Sequence, residues 1–284
     1  METTLYAVRA RGALERHGFR FTHSLGQNFL LDGDMVESLV DASGIESGDN
    51  VLEIGPGAGL MTAIMAAKGA NVLAVELDRS LEDVLSDVLE GLTVRIHYQD
   101  VMKCDLAALT QETFSGNAFK VQANLPYYIT SDAITLLVKS ALLISQITLL
   151  VQKEAAERIV SEPGEKSWCA LSAFVASYGT AEILREVPPE SFIPRPHVMS
   201  VLLQITPYAE MPYTVRNKEM LYKVITSAFA MRRKTLANNI MASFSLSRAD
   251  AEGVLTNCGF DPRVRGETLT VPELARLADA LEKW

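Results

Sequence analysis

The sequence is poor in the residues that staple or wire a protein together. Only three cysteines and four histidines occur among 284 residues. Cys104, Cys169 and Cys258 are 65 and 89 positions apart, a spacing that fits neither zinc ligation nor an even-numbered disulfide framework and implies a reducing, cytoplasmic setting. His17, His23, His97 and His197 are scattered without ligand-like spacing, so no metal is expected. Long apolar runs are missing too. The first 24 residues hold no apolar core of signal-peptide length, and Ser145, Gln146 and Thr148 interrupt the stretch over 141–151, so neither export nor a membrane span is expected. A basic surplus is also lacking: 26 Lys and Arg stand against 35 Asp and Glu, a formal charge of −9 that at face value argues against nucleic acid. What is present is 48% hydrophobic content, enough at this length to bury a full core in one or two domains.

Apolar runs of strand length alternate with helix-like stretches. Strands are expected over 50–54, 71–75, 93–97, 120–123, 146–152 and 198–205. Helices are expected over 35–42, 60–68, 81–89, 131–139, 153–161 and 170–178. This alternation implies parallel strands with crossover helices, an α/β doubly wound, Rossmann-like sheet over residues 1–207. Four further helices, over 218–230, 234–244, 247–258 and 271–283, form a smaller helical domain over 208–284. The charge divides unevenly: residues 208–284 hold 11 basic and 9 acidic side chains, residues 1–207 hold 15 and 26. Basic residues gather in an amino-terminal arm (Arg9, Arg11, Arg16, Arg20) and at Arg232-Arg233-Lys234. Joined to Arg263 and Arg265, they would form a local phosphate-binding face; taken alone, such a run is as readily a solvated helix start.

Glu53-Ile54-Gly55-Pro56-Gly57-Ala58-Gly59 follows a strand and precedes a helix, where a doubly wound sheet binds nucleotide-like ligands. Its glycine spacing is not that of a dinucleotide fingerprint. Acidic Glu53 suits an amino group better than a pyrophosphate, and S-adenosylmethionine has an amino group and no phosphate. Glu76, 21 positions after Gly55, ends the next strand and can accept ribose hydroxyls. Asp100 ends the one after and can accept from an adenine amine.

The fourth strand runs into Asn124-Leu125-Pro126-Tyr127. A ring-conjugated amine such as adenine N6 is a weak nucleophile because its lone pair is delocalised. A side-chain amide oxygen and a proline-held backbone carbonyl can accept its protons, and the neighbouring ring can stack on an extruded base.

Taken in order, the motifs resemble those of the ribosomal RNA adenine dimethyltransferases, relatives of the macrolide-resistance methylases. They are Leu25-Gly26-Gln27-Asn28-Phe29-Leu30, the stretch from Glu53 to Gly59, Val75-Glu76-Leu77-Asp78, Asn124 to Tyr127, Gln152-Lys153-Glu154, Phe192-Ile193-Pro194-Arg195-Pro196, Arg232-Arg233-Lys234-Thr235-Leu236 and Thr268-Leu269. The resemblance implies S-adenosylmethionine-dependent dimethylation of N6 on two adjacent adenosines in a terminal hairpin loop of small-subunit (16S) rRNA. The partner would be an assembling ribosomal particle, and the protein a monomer. It implies a cofactor set of Gln27, Asn28, Leu30, Glu53, Gly55, Gly57, Glu76, Leu77, Asp100, Val101 and Asn124. Catalysis would fall to Asn124, Leu125, Pro126 and Tyr127, with Phe192 across the pocket so that Tyr127 and Phe192 sandwich the base. RNA binding would fall to Arg232, Arg233 and Lys234.

The chain departs from the family pattern at His197, Met199, Met231 and Ala237, and at Trp168-Cys169-Ala170, each change removing charge or polarity from the expected RNA-facing parts. Three other readings compete: a large-subunit rRNA adenine methylase, a non-catalytic assembly factor of the same fold, and a nicotinamide-dependent dehydrogenase. Intact Asn124, Pro126, Tyr127, Glu76 and Asp100 argue against the second. The glycine spacing argues against the third.

Overall fold

The computed structural model describes residues 2–22 and 26–284; His23 and Leu25 lie outside the described residues. The chain folds into two units, one made of residues up to Ala156 with Glu182–Pro207, the other of Glu157–Ala181 with Tyr208–Trp284.

In chain order the elements leading into the sheet unit are α1 (Glu2–Arg16), β1 (Phe29–Leu30), α2 (Gly33–Ala42), β2 (Asn50–Ile54), α3 (Leu60–Ala67), β3 (Asn71–Glu76), α4 (Glu82–Val88), β4 (Val94–Tyr98), α5 (Leu106–Phe114), β5 (Phe119–Asn124), α6 (Thr130–Lys139) and β6 (Ile144–Gln152). Then follow α7 (Lys153–Ile159), α8 (Ala170–Tyr178), β7 (Gly179–Val187), β8 (Phe192–Ile193) and β9 (Ser200–Pro207). The sheet order is β4-β3-β2-β5-β6-β9-β7. β2 pairs parallel with β3 and β5, β3 with β4, and β5 with β6. Strands β2 and β3 are nearly continuous apolar runs because helices cover both faces of a parallel sheet.

One expectation is corrected here: β9 runs antiparallel to β6, so the sheet is mixed. A parallel return needs a crossover of a dozen or more residues, usually a helix. Among the described residues the connection from β7 to its sheet neighbour β9 holds no α-helix and carries Pro188, Pro189, Pro194 and Pro196, and proline neither donates a helical hydrogen bond nor fits a helix interior.

Most of the amino-terminal arm is a packed helix, with Arg20 exposed beyond its end. The helix is α1, and Ala7, Ala10 and Ala13 recur every three residues along its buried face, small enough to bring it close against α2, α3 and α4. Its basic residues are taken up by the protein. Arg9 Nη2 lies 2.7 Å from Glu90 Oε2, Arg16 Nη2 2.8 Å from Asp87 Oδ2, and Arg11 Nη2 donates to the Leu31 carbonyl. Arg16 and His17 hold the Asp87 carboxyl below the usual carboxylate range.

The helical unit holds α8, α9 (Lys218–Ala230), α10 (Leu236–Phe244), α11 (Arg248–Asn257) and α12 (Val271–Leu281). Asn217, Thr235 and Ser247 accept backbone N–H bonds at the starts of α9, α10 and α11, and Thr270 with Glu273 forms a capping box on α12. The expected boundary at 207 is therefore only one crossing of three. The chain leaves the sheet unit within α7, contributes α8 to the helical unit and returns through β7. α8 belongs with the helices because Phe174 packs edge-on against Tyr222 of α9, and Tyr213 Oη donates to the Ser177 carbonyl at 2.6 Å. Counted this way, the helical unit holds 13 basic and 12 acidic residues, leaving less of a basic surplus than the 208–284 division suggests.

Candidate functional site

A cleft of about 230 Å³ opens at the carboxyl ends of β2, β3, β4 and β5. Its floor is the turn from β2 into α3. Gly55, Gly57 and Gly59 have φ of 72°, 55° and 79°, a region that costs glycine little and other residues more. A Cβ on Gly57 would stand 3.0 Å from Phe29 Cδ1, so that glycine also makes room for the ring.

Three carboxylates mark successive strand ends. Glu76 accepts the backbone N–H of Asp78 at 2.7 Å and of Gly57 at 3.2 Å, and so ties the glycine turn to β3. Burial pushes its carboxyl up, against the pull of those two N–H groups. Glu53 is 2% exposed and accepts the Thr62 hydroxyl at 2.6 Å. Burial pushes it up to about 8, opposed by the Thr62 bond and reinforced by the neighbouring Glu76 charge. Asp100 accepts the Met102 N–H at 3.0 Å and fixes the turn after β4.

The amino-terminal wall is the segment from Gly26 to Leu30. Asn28 Nδ2 donates to the Gly26 carbonyl, Asn124 Nδ2 donates to the Asn28 carbonyl at 3.1 Å, and Gln27 Nε2 donates to Asp78 Oδ2 at 2.7 Å. With its amide nitrogen engaged by Asn28, Asn124 keeps its side-chain oxygen as the remaining acceptor. Tyr127 Oη sits 3.1 Å from Ser200 Oγ, which restrains the ring. Among the described residues lining the cleft there is no lysine, arginine or histidine. Three acids without a base disfavour a pyrophosphate and fit a nucleoside that carries positive charge.

The ribosomal RNA adenine dimethylase family model matches residues 18–276. The chain belongs to this family. It is 39% identical over 278 residues to a ribosomal RNA small subunit methyltransferase A of Geobacillus thermodenitrificans, covering 96% of this chain and 95% of the relative. The protein of that name from Enterococcus faecalis is 38% identical, with coverage of 97% and 95%. Among solved structures, a dimethyladenosine transferase from Plasmodium falciparum superimposes with a TM-score of 0.70 at 23% identity, covering 87% of this chain and 94% of the other. The 23S rRNA methyltransferase ErmE gives 0.64 at 21%, with 89% and 99% covered. These two establish the likeness of fold: an α/β methyltransferase sheet.

In this dimethylase, Gln27, Asn28, Leu30, Glu53, Gly55, Gly57, Glu76, Leu77, Asp100, Val101, Asn124, Leu125, Pro126 and Tyr127 all line the one cleft. Phe192 does not. Its expected place opposite Tyr127 is corrected: it is 3% exposed, pairs with Leu30 in the β1–β8 ribbon, and packs in the core cluster with Phe29, Leu31 and Val187. The basic cluster divides as well. It occupies the tight turn between α9 and α10, where all three side chains are exposed; Arg232 is engaged by Glu267 Oε2 at 2.9 Å and by the Lys166 carbonyl, leaving Arg233 and Lys234 outside that pair. Arg263 pairs with Asp261, and Arg265 shares Glu267.

Residues given no individual role in the sequence reading also shape the site. Phe29 packs on the glycine turn, Asp78 anchors Gln27, and Thr62 binds Glu53. Tyr128 (57% exposed) and Met102 (39% exposed) stand at the lip. Tyr128 carried a visible signal, its place beside Tyr127; the pairings of Thr62 and Asp78 did not.

Proposed function

We propose that this chain dimethylates N6 of adenosines in small-subunit rRNA, using S-adenosylmethionine, and that its target is two adjacent adenosines in a terminal hairpin loop of an assembling particle. The observation that carries the reading is the cleft itself: three strand-end carboxylates, no basic residue, and Asn124-Leu125-Pro126-Tyr127 on its wall. Near-full-length identity of 39% to a small-subunit rRNA methyltransferase supports the small subunit as the source of the substrate.

The cofactor supplies a methyl group on a sulfonium, already an excellent leaving group. The residues of this chain bind and orient. Glu53 faces the methionine end, Glu76 the ribose hydroxyls, and Asp100 with Val101 and Leu77 the adenine. Asn124 Oδ1 and the Leu125 carbonyl, held by Pro126, would accept hydrogen bonds from the two N6–H groups and help the nitrogen become pyramidal, one of those protons leaving to solvent after methyl transfer. Tyr127 supports the extruded base on one face. No strong general base is needed, so rate enhancement rests on proximity and aligned dipoles. Arg233 and Lys234 are exposed cations outside the Arg232–Glu267 pair and available to rRNA phosphates.

The test offers labelled S-adenosylmethionine with unmethylated small subunits or with large-subunit rRNA, followed by digestion and detection of N6,N6-dimethyladenosine. Transfer to small subunits alone is expected. Transfer to large-subunit rRNA alone would overturn the substrate. Tight particle binding without transfer would make the protein a non-catalytic assembly factor.

A further inference from the structure

Glu53 presents a problem of charge that the binding role alone does not solve. It is 2% exposed, it accepts the neutral hydroxyl of Thr62, and the described residues lining its cleft include no cation. The charges placed around it are acids: Glu76 on β3 acts on it directly, and Asp100 after β4 lines the same cleft. An isolated carboxylate in such a place is strongly disfavoured.

A second observation lies beside it. Gln122 on β5 is the register partner of Glu53 on β2, so their side chains leave the same face of the sheet from adjacent strands. Gln122 is fully buried; among the described residues its Nε2 reaches the Met61 sulfur at 3.4 Å and its Oε1 has no hydrogen-bond donor. A buried amide oxygen without a donor is costly, and such an atom in a native fold calls for a partner. A neutral carboxylic acid on the neighbouring strand supplies one.

We propose that Glu53 stands protonated in the ligand-free cleft with its proton held toward Gln122 Oε1, and that entry of a ligand bearing an ammonium group expels this proton, so that cofactor binding is coupled to proton release. The step is balanced. The Glu53 O–H bond breaks, the proton passes to solvent buffer, and the carboxylate pairs with the incoming ammonium while Thr62 continues to donate to Oε2. The direction of the Glu53 shift agrees with this. Gln122 then acts as a positioning residue, and selection works both ways: a neutral Glu53 spares the empty site a buried charge, and a ligand without an ammonium cannot trigger release. The inference rests on the cofactor assignment made above.

The experiment is titration calorimetry of the full chain with S-adenosylhomocysteine, which keeps the ammonium, at pH 7 in two buffers of different ionisation enthalpy. The native protein is expected to release close to one proton more per ligand than Glu53→Gln, whose amide mimics the neutral acid. Native affinity should also rise about tenfold per pH unit between pH 6 and 7, where the ligand amine stays charged. Thr62→Val, lacking the hydroxyl that favours the ionised form, should move that rise to higher pH. Equal proton counts for native and Glu53→Gln, or a native affinity flat over this range, would overturn the proposal. Failure of the folded native protein to bind either S-adenosylmethionine or S-adenosylhomocysteine would overturn the cofactor assignment itself, an outcome distinct from binding without proton release.

Discussion

Asn124 donates its side-chain N–H to the backbone carbonyl of Asn28, 3.1 Å away and 96 residues earlier in the chain. This bond ties the end of β5 to the amino-terminal wall of the cleft and orients the amide whose oxygen faces the target amine in the proposed reaction. Asn124→Ala should lower kcat by at least about 10²-fold, the scale of losing one preorganised polar group at a reacting centre. RNA binding should be retained, and stability should fall by only about 1 kcal/mol, as for one part-buried hydrogen bond. Single-turnover methyl transfer and filter binding on the same preparation check this; equal loss of both would place Asn124 in the RNA interface instead.

Gly57→Ala should destabilise the protein more than Gly55→Ala. Both positions have positive φ, which costs alanine about 1–2 kcal/mol. At Gly57 the added Cβ also meets the Phe29 ring at 3.0 Å, whereas at Gly55 its nearest neighbour is the Asn124 carbonyl at 3.8 Å. Gly55→Ala should instead act mainly on cofactor affinity, because its Cβ occupies the cleft. Thermal melts and calorimetry with S-adenosylhomocysteine separate the two.

The raised Glu53 carboxyl makes stability pH-dependent with a definite sign. Unfolded, the group titrates near 4.5; folded, at about 8. Between those values the native state binds more protons than the unfolded chain, so stability from this group is full below the lower value and is lost as pH rises toward the upper one. The ligand-free protein should therefore lose on the order of a few kcal/mol from pH 5 to pH 8, and Glu53→Gln should flatten that slope. Denaturant midpoints across this range measure it.

Arg233 and Lys234 should behave differently from Arg232. Replacing both exposed residues by alanine should weaken rRNA binding and reduce the salt slope by about 0.7 to 0.9 for each phosphate left without its cation, with the melting temperature unchanged. Arg232→Ala should lower the melting temperature, since that side chain holds Glu267 and the Lys166 carbonyl.

Arg9→Ala and Arg16→Ala should leave the salt dependence of RNA binding intact, because both cations already face Glu90 and Asp87. Ala10→Leu should destabilise by about 1–3 kcal/mol through overpacking at a fully buried position. A salt slope reduced by the arginine variants would restore the reading of this region as an RNA-binding arm.

Much of the sheet unit was legible because its signals are local. The buried parallel strands β2 and β3 read as apolar runs at Asn50–Ile54 and from Asn71, and the glycine turn, with carboxylates at three strand ends, reads directly as a set of residues that line one cleft. The helical unit was legible for the same reason: Ser247 and Thr270 announce helix starts through hydrogen bonds made within three residues. Where the reading failed, the deciding partner was far away in sequence. Ala7, Ala10 and Ala13 look unremarkable until Asp87 of α4 and Glu90 just beyond it pair with Arg16 and Arg9. Phe192 looks like a base-stacking ring until its pairing with Leu30, 162 positions away, turns it into the core.

Residue type and order along the chain thus determined the family, the alternation of strand and helix, and the chemistry available in the cleft, since these depend on backbone propensity and on motifs a few residues long. Tertiary structure decided which of those groups are free to act. A charge or a ring has no fixed role until the fold either engages it with a partner, as with the ion-paired Arg232 and the buried Phe192, or leaves it facing the cleft or solvent, as with Tyr127 and Arg233. It also set Glu53 on a sheet face beside Gln122, in surroundings too dry and too acidic for a second bare charge.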